Sequence, residues 1–161
     1  MFKVGETVFC PMRGSGIVEA IEARTMLNES REYVVIHMKS PDIMMMIPTE
    51  RIGDSGFRKV DNEETANKVT ELLVNKEVQV DYSMDIKQRM KKNQAKLSSG
   101  SFIECGEVVR DLSCMEQIKS LNNSEKTTLL QAKRLLVDEF AIIKRISEIE
   151  AKNIIDELLE A

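Results

Sequence analysis

Lys59-Val60-Asp61-Asn62-Glu63-Glu64, residues 59–64, is the stretch where the chain changes its apolar period, and the change divides the sequence in two. Beyond it the signals are helical. Asp61 with Glu64 three positions later reads as a capping box, in which two side chains satisfy backbone N–H groups that a helix start leaves unpaired, and it predicts a short helix over 61–74. Before it, short apolar runs alternate with turn residues. Val4, Val8 and Phe9 lead into the turn Pro11-Met12-Arg13-Gly14-Ser15-Gly16, and partly alternating Gly16 to Arg24 follows. Glu32 to Met38 and Ile43 to Ile47 complete the set, bounded by Asn28-Glu29-Ser30 and Ser40-Pro41-Asp42. Short strands at this spacing predict a small antiparallel β-barrel or curled sheet over 1–60, of SH3-like size.

Outward in the other direction, 75–83 reads as a linker and a second helix is predicted from Met84 to Leu97, with Ile86, Met90 and Leu97 on an inward stripe. Ser98-Ser99-Gly100 stops it. Ser101 and Glu104 open a third helix, 101–120; Asn122-Asn123-Ser124 caps a fourth, 124–143; Ser147 with Glu150 opens a fifth, 148–160. The stripe Leu129, Leu136, Phe140 and Ile143 suits helices that bury one face together. The predicted fold is α+β, an antiparallel β-barrel followed by an all-helical domain over 61–161.

Composition narrows the function. Hydrophobic residues make up 42% of the 161 and charged residues 31%, as in folded water-soluble chains. No apolar run approaches the roughly 20 residues of a membrane span, and Met1-Phe2-Lys3-Val4-Gly5 lacks the layout of a secretory signal, so a cytoplasmic location is expected. Cys10, Cys105 and Cys114 form no CxxC pair. Cys105 and Cys114 are nine positions apart, about 900° of helix, so they face opposite sides; all three read as small hydrophobes rather than a disulfide or zinc set.

Catalysis finds little support. His37 is the lone histidine and lies in the apolar run Val34 to Met38. Gly14-Ser15-Gly16 is too short for a dinucleotide fingerprint and sits between strands, and there is no phosphate loop, HExxH or nucleophile elbow. Neither an enzyme nor a cofactor, metal or small-molecule substrate is expected.

The net charge of −4 argues against indiscriminate nucleic-acid binding, but it averages unlike blocks. Residues 1–60 are neutral, 61–82 carry −4, 83–134 carry +4 and 135–161 carry −4. In the basic block, Lys87, Arg89, Lys91, Lys92 and Lys96 crowd the second helix, and Arg110, Lys119, Lys126, Lys133 and Arg134 follow. Such a block is either a solvated face or a phosphate-binding one. Met44-Met45-Met46 is the second unusual feature: a strand apolar on both faces cannot bury every side chain in one small barrel, and methionine suits adaptable protein contacts.

Taken together, Phe2 to Val8, the Pro11–Gly16 turn, Ile17 to Glu22, Arg24 and Glu32-Tyr33 resemble the opening of the CarD/CdnL family of bacterial RNA-polymerase-binding transcription regulators. The helical half is similar through Arg89, Lys91, Asn93, Lys96-Leu97, Ser99-Gly100, Glu107 to Leu112, Ser124-Glu125-Lys126, Ala132-Lys133 and Leu135-Leu136. The resemblance implies a Tudor-like domain that binds the polymerase β subunit by sheet pairing. It also implies a helical domain lying on promoter DNA at the upstream edge of the melted bubble, largely without regard to sequence, where the family typically stabilises open complexes. It places Arg24 on the polymerase side and Arg89, Lys91, Lys119 and Lys126 on the DNA side; the exposed-methionine argument adds Met45 and Met46 to the first set, and the start of the basic helix adds Ile86 and Lys87 to the second.

Two departures stand out. The family usually has a tryptophan wedge near the start of the second helix; this chain has no tryptophan, and Ile86 occupies the position. Met46 stands where the family can have a polymerase-contacting arginine. The alternative reading is a protein adaptor on RNA polymerase that makes no DNA contact.

Overall fold

The computed structural model describes residues 1–76 and 84–161. They form two compact units, Met1–Val60 and Asp61–Ala161.

The first unit is a five-stranded antiparallel sheet. Its strands are β1 (Thr7–Cys10), β2 (Gly14–Met26), β3 (Glu29–Met38), β4 (Ile43–Pro48) and β5 (Arg58–Lys59), in the order β4-β3-β2-β1-β5. The four longer strands follow from the apolar runs. The two-residue β5 carries no periodic signal and is not legible in them. β2 and β3 also run further than alternation predicts. Beyond Glu22 and Tyr33 they form a ribbon exposed on both faces, closed by Leu27 and Asn28 at φ 50° and 65°. A ribbon wet on both sides has no inward face for a pattern to mark.

The sheet closes over Val8, Cys10, Val18, Val34, Ile36, Met38 and Phe57, with Ile21, Met45 and Ile47 packed against them. Gly16 allows this closure. A Cβ there would lie 2.8 Å from Met38 Sδ and 2.9 Å from Ile36 Cγ2, so any side chain would force these core groups to shift. Burial pushes the Cys10 thiol pKa up and keeps it protonated, as a small hydrophobe should be. Cys105 is buried, Cys114 is half-buried, and none of the three cysteines is in a disulfide among the described residues.

The second unit has five helices: α1 (Glu63–Val74), α2 (Ile86–Ser98), α3 (Phe102–Ile118), α4 (Asn123–Lys144) and α5 (Glu148–Glu160). Ser101 and Ser147 accept the N–H of Glu104 and Glu150, the cap bonds predicted from their spacing. At α1 the cap is Asn62, which accepts from Thr65, and not Asp61. Asp61 is held otherwise: its N–H donates to the fully buried Glu139 carboxylate at 2.9 Å, which ties the start of the unit to α4. Of the linker expected at 75–83, Asn75 caps the end of α1, and residues 77–83 lie outside the described residues.

Leu73, Leu112, Leu136, Phe140 and Ile155 are almost wholly buried and make the core shared by α1, α3, α4 and α5. Gly106 sits in α3 where α1 approaches; a Cβ would meet Val69 Cγ1 at 3.2 Å. That close approach offsets the cost of glycine inside a helix, about 1 kcal/mol relative to alanine.

One expectation about α2 is corrected. Met90, Asn93 and Leu97 do turn inward, but Ile86, at the head of the same stripe, is 50% exposed. Periodicity gives a residue's direction on the helix. Whether anything lies opposite depends on the neighbours, and at the first position of α2 the side chain is left half in solvent.

Candidate functional site

Two surfaces, one in each unit, gather the residues that the sequence points to. On the sheet, strand register decides which side chains share a face. Ile36 pairs with Met45, and both lie on the core side; Val35 pairs with Met46 and Ala20, on the opposite side. A bulge between Val18 and Ala20 sets this phase for the rest of β2, so Glu22 and Arg24 continue on the face of Met46. Arg24 is opposite Arg31, and each has its own acid: Arg24 Nε and Nη2 donate to Glu22 Oε1 at 2.9 and 2.6 Å, and Arg31 donates to Glu29 at 3.2 Å.

Arg24 and Met46 therefore share the outward face. Met45 does not: it packs on the core, and Met44, 51% exposed, takes its place outside. Alternation cannot tell in from out when three consecutive residues are all methionine. Ile17 joins this face beside His37, and the ribbon tip adds Met26 and Leu27, the latter 99% exposed. The apolar runs do not mark this tip. A signal for it exists all the same, because Leu27-Asn28 occupies a turn that asks for Asn-Gly. β4 pairs only with β3 among the described strands, so it is an edge strand of the sheet.

His37 stands between Ile17 and Met44 on this face. Its Nδ1 lies 3.0 Å from Glu19 Oε1, on the bulge, and its Nε2 bonds to Asp42 in the β3–β4 turn. The Asp42 hydrogen bond first, then that of Glu19, raises the His37 pKa above its ordinary 6.5. A histidine whose pKa is raised by folding stabilises the fold in its charged form. That contribution is complete below 6.5 and disappears as pH rises through the folded value. Because His37 is the only histidine, one imidazole resonance reports it. Its NMR titration midpoint is expected above 6.5 and is expected to fall more for Asp42→Asn than for Glu19→Gln. A midpoint at or below 6.5 contradicts the geometry.

On the helical unit the ten cations of residues 83–134 separate into two groups. Four are spent inside the fold. Lys96 meets Glu107 at 2.6 Å, Arg110 meets Asp111 at 2.9 Å, and Lys133 pairs with Asp156. Arg89 is the fourth: Nε and Nη2 donate to Glu125 Oε2 and Oε1 at 2.7 and 2.8 Å, and this carboxylate raises the Arg89 pKa. With side chains 15% and 3% exposed, the pair is a fork-to-fork contact inside the unit, so Arg89 does not project freely towards solvent as a phosphate ligand would.

The other six, Lys87, Lys91, Lys92, Lys119, Lys126 and Arg134, are exposed and have no ion pair among the described residues. Lys87 and Lys91 are one turn apart on the outward face of α2. On α4, Lys126, Leu130 and Arg134 recur every four residues, and Leu130 is 71% exposed between the two cations. This mixed row is hidden in the sequence, where Leu130 reads as one more apolar residue of a helix. Among the described residues no group of histidine, cysteine and carboxylate side chains is arranged to hold a metal ion. No helix among them is long and apolar enough to cross a membrane.

Two family descriptions match along the chain, "CarD-like/TRCF RID domain" over residues 2–60 and "CarD, C-terminal domain" over residues 68–156. The chain belongs to the CarD family. Among curated proteins it is similar to YdeB of Bacillus subtilis (strain 168), a transcription-factor candidate, with 38% identity over 153 residues that cover 95% of this chain and 99% of that one. In this CarD chain the two matched regions coincide with the sheet face carrying Arg24 and with the helices carrying the free cations. Ile86, where the family resemblance puts a tryptophan, opens α2 half exposed beside Lys87.

Proposed function

We propose that this CarD protein regulates transcription by holding RNA polymerase with the outward face of its sheet and promoter DNA with the free cations of its helices. The observation that carries the reading is the division of the basic block: six cations remain exposed while four neutralise acids of the fold. Each exposed cation that replaces a condensed counterion on a phosphate adds to affinity and to its salt dependence. Ile86 supplies the apolar side chain that a minor-groove wedge needs, smaller than the family's indole and unable to stack like it.

On the sheet, Arg24, Met44 and Met46 form a face of one guanidinium and two adaptable thioethers, and the edge strand β4 offers backbone groups to a strand of the polymerase β subunit. Binding to polymerase raises the local concentration of the helices near the promoter, so weak intrinsic DNA affinity suffices in a chain of net charge −4. The protein then prolongs the open promoter complex in the cytoplasm, with no catalytic step and no cofactor.

The direct experiment is the lifetime of the open complex with purified polymerase from the same organism, with and without the protein; an unchanged lifetime on every promoter tried rejects the proposal. Arg24→Glu tests the sheet alone. The Arg24 side chain is half exposed and its ion pair is with the neighbouring Glu22, so the fold should survive, while affinity for the β subunit is expected to drop by about tenfold or more. Undiminished co-purification removes Arg24 from the interface.

A further inference from the structure

We propose that Glu125 and Arg89 are positioning residues for the DNA-facing surface: their buried ion pair sets the Ile86 end of α2 against the Lys126 end of α4. The proposal rests on the DNA-binding reading above and assigns a role to an acid that simple electrostatics would exclude from such a surface.

The geometry is specific. Glu125 occupies the first turn of α4, its own N–H accepted by the Asn122 side chain at 2.8 Å. Arg89 lies in the second turn of α2 and spends two N–H groups on the Glu125 carboxylate. A third, on Nη1, reaches the carbonyl of Met84 at 3.4 Å, just ahead of the Asp85 cap. One guanidinium thus joins the backbone before α2, the body of α2 and the start of α4. The residues it holds are the neighbours of the DNA-facing set. Ile86 and Lys87 lie between Met84 and Arg89, and Lys126 follows Glu125 directly.

Among the described residues α2 packs chiefly against α3, and the buried Leu97 and the Lys96–Glu107 bridge lie towards its far end. Near its exposed head α2 is held by the planar fork of Arg89, which neither a lysine nor a neutral acceptor reproduces.

Charge and geometry predict opposite results for Glu125→Gln. The substitution keeps every cation and removes one negative charge beside Lys126, so long-range electrostatics alone would tighten DNA binding. Breaking the bidentate pair frees the head of α2, and the positioning role predicts weaker binding. The assay is fluorescence anisotropy of the full chain with a forked promoter duplex at fixed salt, alongside thermal denaturation. Glu125→Gln is expected to bind about tenfold more weakly, as much as removing a single protein–DNA interaction would cost, and Glu125→Asp to recover part of the difference.

Binding as tight as that of the unmodified protein, or tighter, with the helices folded, overturns the proposal. If Glu125→Gln does not fold, Arg89→Lys decides, because it keeps the charge and lacks the fork: weaker binding supports the proposal and unchanged binding overturns it. Lys126→Glu separates the two levels. If it leaves affinity unchanged, the DNA-binding reading itself fails; if it weakens binding while Glu125→Gln and Arg89→Lys do not, the positioning role alone fails.

Discussion

Reversing Lys91 and Lys126 together to glutamate is expected to lower affinity for promoter DNA by about a hundredfold, roughly tenfold for each reversed charge, and to shorten the open complex accordingly. Both lysines are exposed and have no acid partner among the described residues, so the substitutions break no ion pair of the fold. Their effect on stability should stay within about 0.5 kcal/mol. The same variant should show a salt dependence of binding shallower by about two units, since each phosphate neutralised adds about 0.9 to the slope. Reversing Lys96 and Lys133 is the contrasting case. Those lysines neutralise Glu107 and Asp156, so their reversal should destabilise the helices. If the Lys91 and Lys126 variant still prolongs the open complex while polymerase binding persists, the protein is an adaptor and the free cations only keep it soluble.

Phe140→Ala is expected to destabilise the helical unit by about 3–5 kcal/mol, from the transfer free energy of the missing ring and the cavity left behind. Phe140 is 2% exposed and is among the largest side chains of the core. Against the roughly 5–15 kcal/mol that a domain of this size holds in total, the change leaves little margin. The melting temperature of the helices should fall on the order of 15–25 °C. Phe140→Leu keeps most of the volume and should cost less than about 1.5 kcal/mol. Helical circular dichroism on heating measures both. Equal small shifts for the two variants would mean that this side chain does not fill the core as the structure places it.

Legibility differs by element, for physical reasons. The helix starts at Ser101 and Ser147 can be read because a cap bond spans three residues and its donors and acceptors are close in sequence. The start of α1 is displaced by one residue because Asp61, Asn62, Glu63 and Glu64 offer several polar groups to the same orphan N–H, and the structure uses Asn62. Strand β5 escapes notice because two residues cannot show a period of two. The run Met44-Met45-Met46 puts Met45 and Met46 together among the expected partner contacts, although a strand turns successive side chains to opposite faces; only pairing with β3 shows which of them looks outward. Ile86 reads as part of an inward stripe for the complementary reason, that a period carries no information about where the partner helix ends.

By itself the sequence determined that the chain is an antiparallel β-fold followed by a capped helical domain, and that its positive charge is concentrated between residues 83 and 134. These follow from spacings of two, three and four residues, which the backbone translates directly into geometry. Only the tertiary structure decided which of those cations remain available. Arg89 finds Glu125 across 36 positions, Lys96 finds Glu107 across 11 and Lys133 finds Asp156 across 23. A charge is neutralised by whatever the fold brings within about 4 Å, and no local pattern records that distance.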